Sequence, residues 1–186
     1  MAFEWHDHHF INGVACLDFA NTVVYRNRPD RMEDRLRSQA DLNAWLQAAG
    51  LPRGGRSTLK RAILLRRAID NLFRDIAAGR PSAGTEWAQL VARYHALLDR
   101  NAMAPAPEGL APASEKTPPL TQIAHSAVML ALSPAITRVK ICGGCGWLFI
   151  DRTRNRSKRW CITAMCGSRA KAKRYYARKT GRLVQS

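Results

Sequence analysis

Four cysteines near the C-terminal end constrain the fold of this chain more than any other feature. Cys142 and Cys145 form a C-x2-C pair, Cys161 and Cys166 form a C-x4-C pair, and fifteen residues separate the two pairs. Two close cysteine pairs at such a distance are typical of a structural zinc site with four thiolate ligands. Four protein ligands leave no coordination position for water or a substrate, so we expect one structural Zn2+.

The residues around these cysteines predict a short hairpin followed by a helix. Gly143 and Gly144 separate the first pair, and we expect them to adopt the positive φ angles of a tight turn. Residues 147–150 are apolar strand formers, and residues 158–161 are expected to return as the second strand. From Cys166 onward, alanines alternate with Lys and Arg, which favours a helix whose first turn carries the last ligand. This order is treble-clef-like.

Two other roles for the cysteines compete with zinc binding. Two disulfides would require an oxidising compartment, and we recognise no secretory signal in the sequence. A thioredoxin-like C-x2-C pair is expected beside a βαβ pattern, which this sequence does not contain. No apolar run approaches the roughly 20 residues of a membrane helix. We therefore expect reduced thiols, a cytoplasmic location and no membrane partner.

The cysteine-rich segment resembles the CGNR zinc finger of bacterial regulators. The resemblance is carried by residues 146–151 (GWLFID), Arg154-Asn155, residues 159–161 (RWC) and residues 166–171 (CGSRAK). The family is named for a Cys-Gly-Asn-Arg tetrapeptide, and Ser168 stands here in place of the Asn. Because Ser caps helix starts much as Asn does, the implied fold is unaffected. A contact made by the Asn carboxamide is not implied for this chain.

The positive charge of the chain lies in the same segment. The formal net charge is +16, and residues 138–186 contribute +13 of it, with fourteen Lys and Arg against one acidic residue, Asp151. Such an asymmetry is the electrostatic footprint of a partner that is a polyanion. A solubilising tail is the alternative, but these cations are interleaved with cysteines and aromatic residues.

Two features mark the N-terminal region. Asn12-Gly13 lies between short apolar pairs and predicts the turn of a small N-terminal β-hairpin. The next stretch, residues 16–23 (CLDFANTV), has helical spacing and resembles the CLDFxNT segment of the ABATE domain, which typically precedes a CGNR finger. Asp18 and Asn21 share one helical face and could line a ligand pocket, with capping and local hydrogen bonding as the alternative. Cys16 is expected to be a small buried core residue.

The first 132 residues are predicted to form a mostly helical domain, followed by a zinc-finger module over 133–186. Helices are expected over 41–49, 58–78, 85–99 and 120–132, with 101–119 as a loop or linker inside the domain. Arg61, Arg66, Arg67 and Arg74 are expected on a solvated helix face. The predicted fold class is thus mainly α with a small N-terminal β-hairpin, plus a C-terminal treble-clef-like zinc finger. A partly apolar cavity or a dimer face is expected at helices 16–24 and 58–78.

The leading hypothesis for function is a DNA-binding transcription regulator. The resemblance implies it, because ABATE and CGNR proteins resemble stress-induced transcription regulators. The helical domain would sense an unidentified small molecule or form a homodimer. Two sets of residues are expected to contact nucleic acid: Arg152, Arg154, Asn155, Arg156, Lys158 and Arg159 of the hairpin, and Arg169, Lys171, Arg174, Arg178 and Lys179 of the helix.

Other classes of function stay open at this point. An RNA-binding protein is the first alternative, since charge does not separate DNA from RNA and Trp160, Tyr175 and Tyr176 could stack on unpaired bases. A zinc module that binds another protein is the second, although strong basic charge favours it little. An enzyme is the third, but the sequence offers no nucleophile with a base, no phosphate loop and no open metal site. We therefore expect no catalytic activity.

Overall fold

The computed structural model describes residues 3–52, 58–80, 83–98, 103–107, 109–113 and 117–180. Six α-helices dominate it: α1 (Ala15–Ala20), α2 (Gln39–Ala48), α3 (Leu59–Ala77), α4 (Ala83–Leu97), α5 (Pro119–Leu132) and α6 (Ser168–Lys179). Three antiparallel hairpins pair β1 (Val23–Val24) with β2 (Glu33–Asp34), β3 (Met103–Ala106) with β4 (Gly109–Pro112), and β5 (Val139–Ile141) with β6 (Leu148–Ile150). The prediction of a mainly helical fold with small hairpins is confirmed.

Local sequence signals account for the helix boundaries. The Ser38 hydroxyl accepts a hydrogen bond from the Asp41 amide, and the Asp41 carboxylate accepts one from the Ser38 amide, which is a capping box that begins α2. The Thr58 hydroxyl accepts a hydrogen bond from the Arg61 amide at the start of α3, and Pro119 occupies the first position of α5. Gly50 and Gly79 follow α2 and α3 with positive φ angles of 67° and 66°.

A single apolar core joins the helices to the first part of the cysteine-rich segment. Leu17 and Phe19 of α1, Trp45 of α2 and Phe73 of α3 are fully buried in it. Leu148 of β6 is also fully buried in this core, and Val139 of β5 is 4% exposed. The β5–β6 hairpin therefore packs on the helical domain directly. As expected, Cys16 is a buried core residue, and its burial raises the pKa of the thiol to about 12.

The prediction of an N-terminal hairpin around Asn12-Gly13 is wrong in its position. Asn12 and Gly13 form a bend that leads into α1, with Gly13 at a φ of 64°. The first hairpin is instead β1–β2, which begins after α1. Within the segment 101–119, predicted to be a loop or linker, β3 and β4 pair as a short hairpin. Residues 101–102, 108 and 114–116 of that predicted loop, and 181–186 of the predicted module, lie outside the described residues.

The hairpin of the cysteine-rich segment also has different strands from those predicted. Residues 148–150 pair with Val139–Ile141, which precede the first cysteine pair, and residues 158–161 form no strand. The first cysteine pair therefore lies at the tip of the hairpin. Residues 151–162 form an irregular loop, because backbone amides of this segment donate hydrogen bonds to the Asp151 carboxylate instead of to a neighbouring strand. The helix predicted after Cys166 is present as α6.

Candidate metal centre and basic surface

The four cysteine sulfur atoms converge at the tip of the β5–β6 hairpin. All four side chains are buried and none is in a disulfide, and their Sγ atoms lie within 4.8 Å of one another. The Sγ atom of Cys161 lies 3.5 Å from that of Cys145 and 3.8 Å from that of Cys166. Sulfur atoms about 2.3 Å from a tetrahedral zinc lie about 3.8 Å apart, whereas a disulfide holds them at about 2.05 Å. The donor set therefore fits one structural Zn2+, as predicted from the spacing.

The glycines near the cysteines serve packing more than turn geometry. Gly143 and Gly144 do not adopt the expected positive φ, which instead occurs at Gly146 at 73°. A Cβ atom at Gly143 would lie 3.1 Å from the ring of Trp160, and one at Gly144 would lie 3.2 Å from Cβ of Cys166. Both positions are tight for any side chain, so the two glycines allow the second half of the site to close over the first.

The last ligand lies in a π-helical turn, Thr163–Gly167, that runs directly into α6. Because this turn is continuous with α6, Ser168 has helical backbone angles and makes no capping hydrogen bond. The expectation that Ser168 caps the helix is therefore wrong. Burial raises the pKa of Cys166, whereas hydrogen bonds from Cys145 and Cys161 lower that of Cys142. A divalent cation stabilises all four thiolates at once, since it neutralises charges that otherwise repel.

Two asparagine side chains join the helical domain to the zinc hairpin. The carboxamide of Asn21 donates to the Leu148 carbonyl and accepts from the Leu148 amide, both at 2.9 Å. The carboxamide of Asn12 accepts from the Ile150 amide at 3.2 Å and donates to the Leu148 carbonyl at 3.3 Å. These hydrogen bonds pair the backbone amides and carbonyl on the unpaired edge of β6, as a neighbouring strand would. We call Asn12 and Asn21 the asparagine pair.

Asp18 supports this pair through hydrogen bonds to Asn12. Its Oδ1 atom accepts from the amide and the Nδ2 atom of Asn12, at 3.2 and 2.8 Å. Asp18 is 5% exposed and Asn21 is 2% exposed. Burial raises the pKa of Asp18 to about 6, although the hydrogen bonds from Asn12 oppose that shift. The contacts of Asp18 and Asn21 thus support the hydrogen-bonding alternative over the ligand pocket that the sequence suggested.

Further contacts hold the tip of the zinc hairpin against the helical domain. The Tyr25 amide donates to the Cys145 carbonyl at 2.8 Å, and Nη2 of Arg74 donates to the Gly146 carbonyl at 2.6 Å. Arg74 is itself paired with Asp70, whose side chain is 4% exposed. Arg66 is buried and bonds Asp34 and Thr22. Arg61 and Arg67 are exposed as expected, whereas Arg66 and Arg74 do not lie on the solvated face.

The basic loop, residues 152–159, is organised by one carboxylate. Asp151 is buried and accepts hydrogen bonds from the Lys140 ammonium at 2.7 Å, from the Thr153 amide and hydroxyl, and from the Lys158 amide. Burial alone would raise the pKa of Asp151, but the Lys140 ammonium and these donors hold it well below its usual range. The Lys140 ammonium also bonds the Arg156 carbonyl. The loop is therefore compact although it forms no strand.

The cations predicted to contact nucleic acid are mostly exposed. Arg152, Arg154, Asn155, Arg156, Arg159, Arg169, Lys171, Arg174, Arg178 and Lys179 are exposed, and Lys158 is half-buried. Two of them also contact the helical domain: Nη2 of Arg152 donates to the Asn12 carbonyl at 2.7 Å, and Nη1 of Arg169 donates to the Tyr25 hydroxyl at 2.9 Å. Ala170 and Ala177 of α6 are half-buried, and no residue of α6 is fully buried. The helix is a cationic element with little packing of its own.

Two known families match parts of the chain. Residues 13–136 match the ABATE family, described as "Putative stress-induced transcription regulator". The chain belongs to the ABATE family. Residues 138–179 match the CGNR zinc finger, which includes all four cysteines, so both resemblances seen in the sequence are confirmed. No curated protein matches the chain significantly. The two family descriptions name a regulator and a zinc finger, and neither names a catalytic activity.

The larger cavity of this ABATE protein is not where the sequence placed one. It has a volume of about 740 Å³ and lies between α5, the β3–β4 hairpin and the zinc finger. The cavity or dimer face expected at helices 16–24 and 58–78 stays a prediction. In the structure α1 is buried in the core against α3 and ends at Ala20, and Val23–Val24 form β1 instead of continuing the helix. Among the described helices, none combines the length and apolar character needed to cross a membrane.

Proposed function

We propose that this ABATE protein is a DNA-binding transcription regulator that contacts DNA through its zinc finger. The basic loop and α6 would provide most of the contacts, mainly to phosphates, and Arg154 or Asn155 would contact base edges. The helical domain would hold the finger in place, and sensing or dimerisation would occur there. We further propose a cytoplasmic location and no catalytic activity, in keeping with the regulator family and the closed four-cysteine site.

The observation that carries the proposal is the excess of unpaired positive charge on the finger. Residues 152–179 contain eleven Lys and Arg and no acidic residue. Within the described residues, none of these eleven forms an ion pair, and the one carboxylate nearby, Asp151, is buried and fully engaged. On α6, Lys171, Arg174 and Arg178 lie at i, i+3 and i+7 and so share a face. Because no carboxylate pairs with these three cations among the described residues, phosphates would neutralise them without breaking an ion pair.

RNA is the second candidate, and one observation favours it. Tyr175 and Tyr176 of α6 are 62% and 63% exposed, although tyrosine rings usually bury most of their surface. Exposed aromatic rings among cations are the usual platform on which unpaired bases stack. Trp160, by contrast, is half-buried against the glycines of the zinc site, which makes it a packing residue.

Binding measured against salt concentration tests the proposal. Zinc-loaded protein would be titrated into labelled random-sequence duplex DNA and into an RNA hairpin with an unpaired loop, with fluorescence anisotropy as the readout. Replacing Lys171, Arg174 and Arg178 together by Ala should weaken duplex binding and lower the slope of log affinity against log salt by roughly 3, at about 0.9 per lost phosphate contact.

A matched control removes the same charge elsewhere. Lys60, Arg61 and Arg67 are exposed on α3, so replacing these three by Ala changes the net charge equally but should leave the salt slope unchanged. If both triple variants lose affinity alike, only net charge matters and the assigned surface is wrong. Tighter binding to the RNA hairpin, weakened by Tyr175→Ala, would favour the RNA candidate. Binding to neither polymer would contradict the nucleic-acid proposal.

A further inference from the structure

The larger cavity is a cleft shared by the helical domain and the zinc finger. The β3–β4 hairpin provides Ala106 and Ala111, α5 provides Met129 and Leu130, and β6 provides Ile150. These side chains form an apolar surface. Its volume of about 740 Å³ falls within the roughly 300–1,000 Å³ that is usual for small-molecule sites.

Three guanidinium groups form one wall of the cleft. Arg138 lies at the start of β5, and Arg152 and Arg154 belong to the basic loop. None of the lining residues that the structure describes is acidic, and none of the three arginines has an ion-pair partner among the described residues. Arg138 is held in place, because its Nη1 atom donates to the Asp151 and Thr153 carbonyls at 3.1 and 3.0 Å. Arg154 makes no hydrogen bond to any described residue.

We propose that this cleft binds a small organic carboxylate with an apolar body. The apolar side chains would cover the body, and the carboxylate would meet the arginine wall, with Arg154 closing on it. A carboxylate fits better than a neutral ligand, because three cations without acidic partners favour an anion. The guanidinium fork matches carboxylate and phosphate alike, but Arg138 and Arg152 already donate to backbone carbonyls. The free donors of Arg154 therefore match the two oxygens of a carboxylate better than the three oxygens of a phosphate dianion.

Binding of 1-naphthaleneacetate to the zinc-loaded full chain tests this proposal. We expect saturable binding with one ligand per chain, measured from the naphthalene fluorescence. The uncharged 1-naphthaleneacetamide and the dianionic 1-naphthyl phosphate should each bind at least tenfold more weakly. Equal affinity for the amide would overturn the role of charge, and tighter binding of the phosphate would overturn the carboxylate assignment. No saturable binding of any of the three would overturn the site.

Two variants and a matched control locate the ligand. Arg154→Gln should weaken binding of 1-naphthaleneacetate about tenfold, the lower end of the effect of a charged hydrogen bond. Arg156→Gln, an exposed loop arginine that does not line the cleft, should leave the affinity within about twofold, as expected for a distant surface change. Ala111→Trp should fill the cleft and abolish binding. Unchanged affinity in both Arg154→Gln and Ala111→Trp would place the ligand elsewhere and contradict the proposal.

A measurement on the unaltered protein does not depend on any variant folding. With ¹³C-methyl methionine, the Met129 resonance should shift as the ligand saturates, whereas that of Met32, which is 56% exposed and does not line the cleft, should not. A shift of Met129 upon dilution without ligand would indicate a second copy in the cleft and overturn the proposal. None of these assays contains nucleic acid, so their outcome is independent of the proposed DNA binding.

Discussion

Replacing Asn21 by Ala should uncouple the zinc hairpin from the helical domain. In the folded protein, the Asn21 carboxamide makes two hydrogen bonds of 2.9 Å to the amide and carbonyl of Leu148, in a site where both residues are almost fully buried. Alanine at this position removes both hydrogen bonds, and its methyl group makes no hydrogen bond in their place. The substitution therefore tests whether a single side chain holds the edge of β6 against α1.

The expected loss follows from the partners that remain. The Leu148 carbonyl keeps the Nδ2 atom of Asn12 at 3.3 Å, so its loss is small. The Leu148 amide keeps no partner and stays buried, which costs about 1–3 kcal/mol. We expect the free energy of unfolding to fall by about 2 kcal/mol, and the melting temperature to fall by about 4–8 °C for a chain of this size. Asn21→Asp should cost at least as much, although it can still accept from the Leu148 amide, because it buries a carboxylate and sets its second oxygen against the Leu148 carbonyl oxygen, with no proton between the two acceptors.

Two probes followed during urea unfolding measure the effect. Circular dichroism at 222 nm reports on the helices, and a dye that binds released zinc reports on the finger. In the unaltered protein we expect the two transitions to coincide, because the β5–β6 hairpin shares the core of the helices. In Asn21→Ala, zinc release should precede the loss of helix.

The control is Asn71→Ala, since Asn71 is exposed on α3 and its replacement should change stability by less than about 0.5 kcal/mol. A loss in Asn21→Ala no larger than in this control would show that the asparagine pair does not stabilise the interface. A near-neutral Asn21→Asp would show that a second acceptor oxygen is tolerated beside the Leu148 carbonyl, and would refute the donor role assigned to the Asn21 carboxamide.

Three further predictions concern the metal, the basic loop and pH. Cys161→Ser should reduce bound zinc, measured by metal analysis, and melt α6 while circular dichroism retains most of the signal of the helical domain. Asp151→Asn should weaken DNA binding in the anisotropy assay although it adds positive charge, because Lys140 and Lys158 lose the carboxylate that orders the loop; stronger binding would contradict this. Because burial raises the pKa of Asp18 to about 6, the folded state becomes less favourable as the pH rises from about 4 through 6. The difference in unfolding free energy between Asp18→Asn and the unaltered protein should therefore shift in favour of the variant between pH 5 and 7.5 in urea titrations.

The zinc ligands and the longer helices were predictable from the sequence for simple physical reasons. Tetrahedral thiolate coordination demands close cysteine pairs, so the spacing of Cys142, Cys145, Cys161 and Cys166 is nearly sufficient evidence. The helices over 41–49, 58–78 and 120–132 were predicted to within a few residues, because apolar periodicity over many turns is a strong signal.

The hairpins were predicted poorly, because strands of two or three residues carry almost no periodic signal. Asn12-Gly13 has the composition of a hairpin turn, yet the Asn12 carboxamide is used on the edge of β6 instead. Residues 158–161 have strand composition, but hydrogen bonds to Asp151 hold the preceding loop away from any strand. In both places a distant polar contact prevails over a local preference.

The contacts between the domains were the least predictable part of the site. Arg66 and Arg74 lie outside the apolar stripe of α3, so the sequence pattern predicted that solvent surrounds them. In the structure Arg66 bonds Asp34, and Arg74 bonds the Gly146 carbonyl. Asp18 and Asn21 carried a signal, since two polar side chains inside an apolar stretch need buried partners. The sequence does not say that the partner is a backbone edge far along the chain, and a ligand explained the same pattern equally well.

The asparagine pair also implies an order of events during synthesis. Asn21 and Leu148 are 127 positions apart, so the ribosome releases the whole helical domain before the strand that docks on it emerges. The surface that carries Asn12 and Asn21 can therefore fold before β6 is synthesised. This order is favourable because closing so long a loop between two unfolded segments would be slow. We expect the nascent finger to meet a finished surface and to capture its metal only afterwards. Truncated chains that end near residue 137 should then leave the asparagine pair uncovered and require a chaperone to stay in solution.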